Sequence, residues 1–263
     1  MPEIAVNGTV LHYEEQGSGE PLVLLHGGGG TALLHFKHEI PALAERYRVI
    51  APDLRGYGRS SPPRDFPPGF YARDAADMAA LIQALGIAPA HLCGFSDGGI
   101  VALLLAADYP ETARTLAVWG AEARILPQER AAWGPITDWR SWPDHIVQRF
   151  IEAQGPLNWP GILERMLEGY NRELDTGGNI VADRLDRIRC PALIMHGDLD
   201  EVVPVEHAYE LSRAIRGARL RIFPGAKHAL HRERHAELLA EIHAFLAQHG
   251  ASGARESSAG AKE

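Results

Sequence analysis

The stretch from His91 to Ala107, HLC-GFSDGG-IVALLLAA, contains the segment whose reading decides the fold. His91-Leu92-Cys93 is an apolar run of strand type. Gly94-Phe95-Ser96-Asp97-Gly98-Gly99 is a tight turn, and Ile100 to Ala107 is an apolar helix that ends near Asp108-Tyr109-Pro110. Gly-x-Ser-x-Gly between a strand and a helix describes a sharp elbow that exposes a serine hydroxyl, with Gly94 and Gly98 leaving room for close backbone approach. The competing reading, a helix start that Ser96 or Asp97 merely caps, does not explain the glycine on either side.

Outward from the elbow, strand-type and helix-type segments alternate. Two half-exposed strands flank an Asn7-Gly8 turn. Leu22-Val23-Leu24-Leu25 is a continuous apolar run, the pattern of a strand covered on both faces, and it opens into His26 and the glycines Gly27 to Gly30. A helix is expected over Lys37–Arg46, a strand over Tyr47–Ala51, and a helix over Ala72–Leu85 closed by Gly86. Strands follow at Thr115–Trp119, Ala192–Met195 and Leu220–Phe223, with helices over Val205–Ile215 and Arg232–Leu246. From Glu122 to Arg184 the pattern changes to short helical segments with prolines and four tryptophans, Trp133, Trp139, Trp142 and Trp159, and no strand. The expectation is an α/β fold with a mostly parallel central sheet flanked by helices. Residues 1–121 and 185–249 form its core, 122–184 an inserted helical cap, and 250–263 a loose tail. Chemistry is expected at the carboxyl ends of the strands, where His26, Ser96, Asp200 and His228 all fall.

Composition narrows the function. Lys and Arg number 26 against 34 Asp and Glu, a net charge of -8, so no broad basic field is available for nucleic acid. The 46% apolar and 23% charged content is that of a globular protein, and 263 residues suit one large domain with an insertion. No apolar run is long enough to span a membrane, and Met1-Pro2-Glu3-Ile4 does not begin like a secretion signal. Cys93 and Cys190 lie in apolar stretches and read as buried thiols rather than as a disulfide framework, which points to a cytoplasmic protein.

A serine hydroxyl needs a base. His228, in the turn after the last strand, is the best placed of the 13 histidines. Its rival reading is a metal cluster with His231 and His235, which lacks a supporting ligand framework. His26 and His196 read as hydrogen-bonded structural groups. The orienting acid is expected between nucleophile and base in the chain, and Asp200 supplies it, with Asp198 the competing choice. The N–H groups of Gly28 and Asp97 are the expected oxyanion donors, with Gly29 the alternative to Gly28. A phosphate cradle at Gly27–Gly30 lacks the lysine and the glycine spacing that such loops need. The chemistry needs no metal or organic cofactor.

On these residues the chain resembles the α/β-hydrolase superfamily as far as about Gln248, and more narrowly its biphenyl hydrolase-like branch. The narrower likeness is carried by Asp53-Leu54-Arg55-Gly56-Tyr57-Gly58-Arg59-Ser60, Gly94 to Ile100, Val118-Trp119-Gly120-Ala121, Gly178-Asn179-Ile180, Cys190 to Gly197 and Gly225 to His231. The resemblance implies the nucleophile, acid and base roles for Ser96, Asp200 and His228. It also implies that Asp97 recognises the free α-ammonium of an amino-acid ester. The loop His26 to Gly30 is richer in glycine than the resemblance leads one to expect, and the segment 122–184 matches less evenly than the rest.

Asp97 stands out physically as well. At about 5 Å and an effective dielectric of about 20, a carboxylate opposes a developing oxyanion by roughly 3 kcal/mol, which a substrate ammonium offsets. The alternative is that Asp97 serves the first helical turn. The expected function is hydrolysis of a small ester, preferentially an α-amino-acid ester. A general carboxylesterase or lactonase, a carbon-carbon bond hydrolase, a perhydrolase-like enzyme and a non-catalytic binding protein are the alternatives.

Overall fold

Leu22, Val23, Leu24 and Leu25 are all fully buried, and successive residues are buried on opposite sides of one sheet. Leu22 and Leu24 join one hydrophobic core, while Val23 and Leu25 join a second. The same alternation sends Cys93, Ala117 and Leu193 to the first core and Leu92, Leu116, Val118 and Ile194 to the other. A period of two on continuously apolar strands is what a sheet sandwiched between helical layers requires.

The structure, a computed structural model, describes residues 2–250. Its strands and helices are, in chain order, β1 (Glu3–Val6), β2 (Thr9–Gln16), β3 (Glu20–Leu25), α1 (Ala32–Phe36), α2 (Glu39–Ala44), β4 (Tyr47–Pro52), α3 (Phe70–Ala84), β5 (Ala90–Phe95) and α4 (Asp97–Asp108). They continue with β6 (Ala113–Trp119), α5 (Arg130–Thr137), α6 (Asp144–Asn158), α7 (Gly161–Asp175), β7 (Ala192–Gly197), α8 (Glu206–Ala214), β8 (Arg219–Phe223), α9 (Leu230–Glu233) and α10 (His235–His249). The eight strands form one sheet in the order β1-β2-β4-β3-β5-β6-β7-β8. β1 and β2 pair antiparallel, as do β2 and β4, and every pairing from β4 through β8 is parallel. Residues of α2 and α10 cover one face, and those of α3, α4 and α8 the other.

One expected helix is shorter than expected and another is divided. The helix expected over Lys37–Arg46 is α2, and a separate helix that was not expected, α1, precedes it, with Thr31 capping α1 by accepting a hydrogen bond from the Leu34 N–H. Pro41 has no N–H to give the carbonyl of Lys37, so the helix starts at Glu39 rather than at Lys37. In the first turn of α2 that N–H is not needed. The last helix is split into α9 and α10 at Arg234, whose backbone leaves the helical region. Between 122 and 184 the described residues form helices and turns but no strand, and α6 is broken at Gly155. The stretch 251–263, expected to be a loose tail, lies outside the described residues. Among the described residues no helix is long and apolar enough to cross a membrane. Both cysteines are free, and burial pushes the Cys93 thiol up to about 12 and that of Cys190 up to about 11.

Leu24→Ala removes a side chain packed between β3 and its covering helices and is expected to lower the free energy of unfolding by about 2–5 kcal/mol. Leu157→Ala, at a position 82% exposed, should change it by less than about 0.5 kcal/mol. Urea unfolding of the two variants side by side checks the difference.

Candidate active site

β5 ends at Phe95 and α4 begins at Asp97, leaving Ser96 alone to make the turn, at φ 53° and ψ -123°. This left-handed backbone is one of two positive-φ positions among the described residues that are not glycine. The surrounding glycines are required for space. A Cβ at Gly94 would overlap the carbonyl of Gly98, and one at Gly98 would overlap the carbonyl of Leu25 at the end of β3. At Gly99 it would stand 2.6 Å from the Cβ of Ala121. The Ser96 N–H donates to the Trp119 carbonyl at 3.0 Å, which ties the elbow to the end of β6.

The turn after β8 brings His228 over the elbow. Its Nε2 lies 3.1 Å from Ser96 Oγ, and its Nδ1 lies 2.7 Å from Asp200 Oδ2. The ring rests against Gly120, which has φ 58° and where a Cβ would come within 3.0 Å of the imidazole. Asp200, on the turn after β7, has a fully buried side chain. Its Oδ1 accepts the N–H groups of Val202 and Val203, both at 2.9 Å, and His196 Nε2 lies 3.1 Å from Oδ2. Burial pushes its acidity toward the neutral form, but hydrogen bonds from His196 and His228 outweigh it and hold the carboxyl well below the usual range. The nearby Asp198 is exposed and faces away, accepting the Gly225 N–H at 2.6 Å.

Asp97 opens α4, and the hydrogen bonds of its carboxylate go to other helices. Its carboxylate accepts a hydrogen bond from Tyr71 of α3 at 2.9 Å and another from Tyr170 of α7 at 2.6 Å. Burial raises its pKa above the usual carboxylate value, and the two tyrosines and the charge of Arg64 offset that rise only in part. Arg64 itself is buried and paired with Asp74. Gly28 packs against this group: a side chain there would strike the Tyr170 hydroxyl and stand 2.7 Å from Asp97 Oδ2. The glycine loop is held from above by Gln154 of α6, whose amide donates to the carbonyls of Gly29 and Gly30 at 2.8 and 3.0 Å and accepts from the Gly58 N–H at 3.0 Å.

Ser96, Asp97, His228, Gly28 and Gly29 line one cavity of about 290 Å³. Residues from 122 to 184 complete its wall, including Trp133, Trp142, Phe150 and Tyr170. Trp139 and Trp159 instead pack on each other at 5.5 Å. The tryptophans are thus divided between lining and packing.

The remaining histidines separate by their partners. His26 bonds to the Gly27 carbonyl through Nδ1 and receives the Leu54 N–H at Nε2, both at 2.9 Å. His196 Nε2 also meets the Val203 carbonyl at 2.9 Å. His231 lies under Trp119 and His235 pairs with Glu39, so neither joins His228 in a metal cluster. The one grouping of metal-ligand type among the described residues is elsewhere: Glu122, Glu129 and His207, with ligand atoms within 4.8 Å of one another. Tyr71, Tyr170 and Glu122 of the cavity wall, and Gln154 on the glycine loop, were not legible as site residues, because each arrives by tertiary packing and belongs to no local motif.

Residues 22–242 match the model of the alpha/beta hydrolase family. The human serine hydrolase BPHL is 37% identical over 233 residues, which span 87% of this chain and 80% of the relative. The 2-hydroxymuconate semialdehyde hydrolase of a Pseudomonas species is 29% identical, over 94% of this chain and 93% of that one. Among solved structures, a meta-cleavage product hydrolase from Pseudomonas fluorescens superposes with a TM-score of 0.81 at 24% identity, over 95% of this chain and 98% of the other. The chain belongs to the alpha/beta hydrolase family and is a hydrolase; its likeness at the level of sequence is to the biphenyl hydrolase-like branch.

Burial lowers the pKa of His26 to about 4. The unfolded chain, with the ordinary value near 6.5, therefore binds a proton that the folded protein refuses. The stability this residue confers is complete above pH 6.5 and is lost as the pH falls toward 4. His26→Gln is expected to flatten the pH dependence of unfolding in that window by about 1.4 kcal/mol per pH unit, read from urea titrations at pH 7, 6 and 5.

Proposed function

We propose that this hydrolase cleaves small carboxylic esters through an acyl-enzyme on Ser96 and prefers α-amino-acid esters. The observation that carries the proposal is a single imidazole placed between a strained serine hydroxyl at 3.1 Å and a buried carboxylate at 2.7 Å. In this reading His228 Nε2 takes the Ser96 proton as Oγ attacks the ester carbonyl. Asp200 accepts the Nδ1–H bond, fixes the tautomer and stabilises the imidazolium. The N–H groups of Gly28 and Asp97 receive the negative oxygen. His228 then passes its proton to the leaving alcohol and activates the water that releases the acid.

Asp97 supports the preference for an amine. Two tyrosine hydroxyls hold its carboxylate on the cavity wall, next to where negative charge develops, and they solvate that charge without cancelling it. An α-ammonium cancels it and anchors the acyl part at the same time. The 37% identical relative is named a serine hydrolase, in agreement with Ser96 as nucleophile. A carbon-carbon hydrolase is the second reading, favoured by the likeness to 2-hydroxymuconate semialdehyde hydrolase. The buried Asp97 speaks against it, since such a substrate is acidic and meets a carboxylate beside the nucleophile.

A fluorophosphonate probe is expected to label Ser96, as read by peptide mass, and Ser96→Ala or His228→Ala should abolish labelling. Asp97→Asn should lower kcat/KM for α-amino esters by about 10- to 100-fold, the range of a hydrogen bond to a charged group. Matched esters without the amine should change less than about threefold. Equal losses on both substrates would remove the ammonium from the proposal while leaving the esterase in place.

A further inference from the structure

The wall of the cavity beside His228 carries a cation that the chemistry above does not use. Arg232 stands one turn beyond the base, on α9, and lines the cavity together with Ser96, His228 and Ala229. It also lines a neighbouring cavity of about 430 Å³, which it shares with Arg149 of α6 and with Lys37. All three cations are exposed. Among the described residues, neither guanidinium nor the Lys37 ammonium makes a hydrogen bond or an ion pair within the protein. The acids nearby are engaged elsewhere: Glu39 bonds to His235 at 2.8 Å, and Glu152 of α6 accepts from Gln148 at 3.1 Å. Burial and the charge of Arg149 lower the pKa of Arg232, and Glu39 offsets them only in part. The imidazoles that line both cavities, His35 and His231, are held neutral by burial, that of His231 down to about 3. A chain of net charge -8 thus keeps an uncompensated positive patch at the edge of its catalytic cavity.

The position of the patch decides which part of a substrate it meets. His228 passes its proton to the leaving alcohol, so the alcohol part of the ester lies on the His228 side of Ser96, where Arg232 stands. Asp97 belongs to a different wall. The charges that act on Arg232 are those of Arg149 and Glu39, and the cation that acts on Asp97 is Arg64. We propose that Arg232, joined by Arg149, receives a carboxylate on the alcohol part of the substrate, so that the enzyme prefers esters of hydroxy acids to esters of neutral alcohols. A planar guanidinium offers a carboxylate two parallel N–H···O bonds, which fixes the leaving group as well as attracting it. Arg232 gives up no proton; hydrolysis releases the acyl acid and the hydroxy acid as before. The proposal rests on the acyl-enzyme reading above and adds a selectivity for the leaving group, measured with the acyl part held constant.

The test compares kcat/KM for the L-alanyl esters of 4-hydroxybutyrate and 4-hydroxybutanamide, which share the acyl part, the carbon chain and the leaving oxygen and differ in carboxylate against carboxamide. The wild type is expected to prefer the carboxylate by about fivefold at low salt, the worth of an exposed ion pair. It should lose most of that preference by about 0.5 M NaCl. Arg232→Gln should bring the ratio to within about twofold of one. Arg187→Gln removes a charge that pairs with Asp108 and lines neither cavity, and it should leave the ratio unchanged. A wild type without the preference, a preference that survives Arg232→Gln, or an equal fall in Arg187→Gln would overturn the proposal. The wild-type comparison at low and high salt stands without any variant. Failure of the amino-ester reading shows separately, as propionyl esters of the same two alcohols that are cleaved as well as the alanyl ones, with the carboxylate preference intact.

Discussion

The arrangement depends on one steric constraint: the start of α4 lies so close to the end of β3 that no side-chain atom fits at Gly98 beneath the carbonyl of Leu25. The chain must leave β5 and enter α4 within a single residue, and that residue takes a left-handed backbone that L side chains adopt only at a cost of about 1–3 kcal/mol. The strain persists because the two-sided burial of β3 and β5 fixes both ends of the turn. Its effect is to raise the Ser96 hydroxyl clear of the sheet, where a neighbouring loop can reach it.

The neighbouring loops reach it because the strands are parallel. The ends of β3, β5, β6, β7 and β8 lie along one edge of the sheet and deliver, in that order, the glycine loop, Ser96, Gly120 with Glu122, Asp200 and His228. Residues separated by more than a hundred positions thereby meet within hydrogen-bond distance. Glycine at 120 leaves room for the imidazole at the end of β6, and His196, itself buried at the end of β7, helps keep Asp200 ionised.

The core of the fold was legible because continuous apolar strands and interrupted amphipathic helices have different periods, and parallel strands buried on both faces leave the clearest trace. Ser96 was legible because the elbow demands glycine at fixed offsets. The reading of Asp200 and His228 drew on chain order and on their place after strands. Helix boundaries were less legible: Pro41 delays the start of α2, and Arg234 divides a segment whose apolar spacing runs on undisturbed. The surroundings of Asp97 left no local trace. Tyr71 sits on α3 and Tyr170 on α7, and their meeting at one carboxylate is decided by how α7 lies on the sheet, which no spacing along the chain encodes.

Gln154 ties the two regions together. One amide from α6 holds two carbonyls of the glycine loop and the N–H of Gly58, so the roof of the cavity and the backbone beside the nucleophile share a fastening. Lifting α6 to admit a bulky molecule breaks those bonds and slackens the loop in the same motion. The glycine loop and the helix that roofs the cavity are therefore not independent parts: whatever displaces one loosens the other.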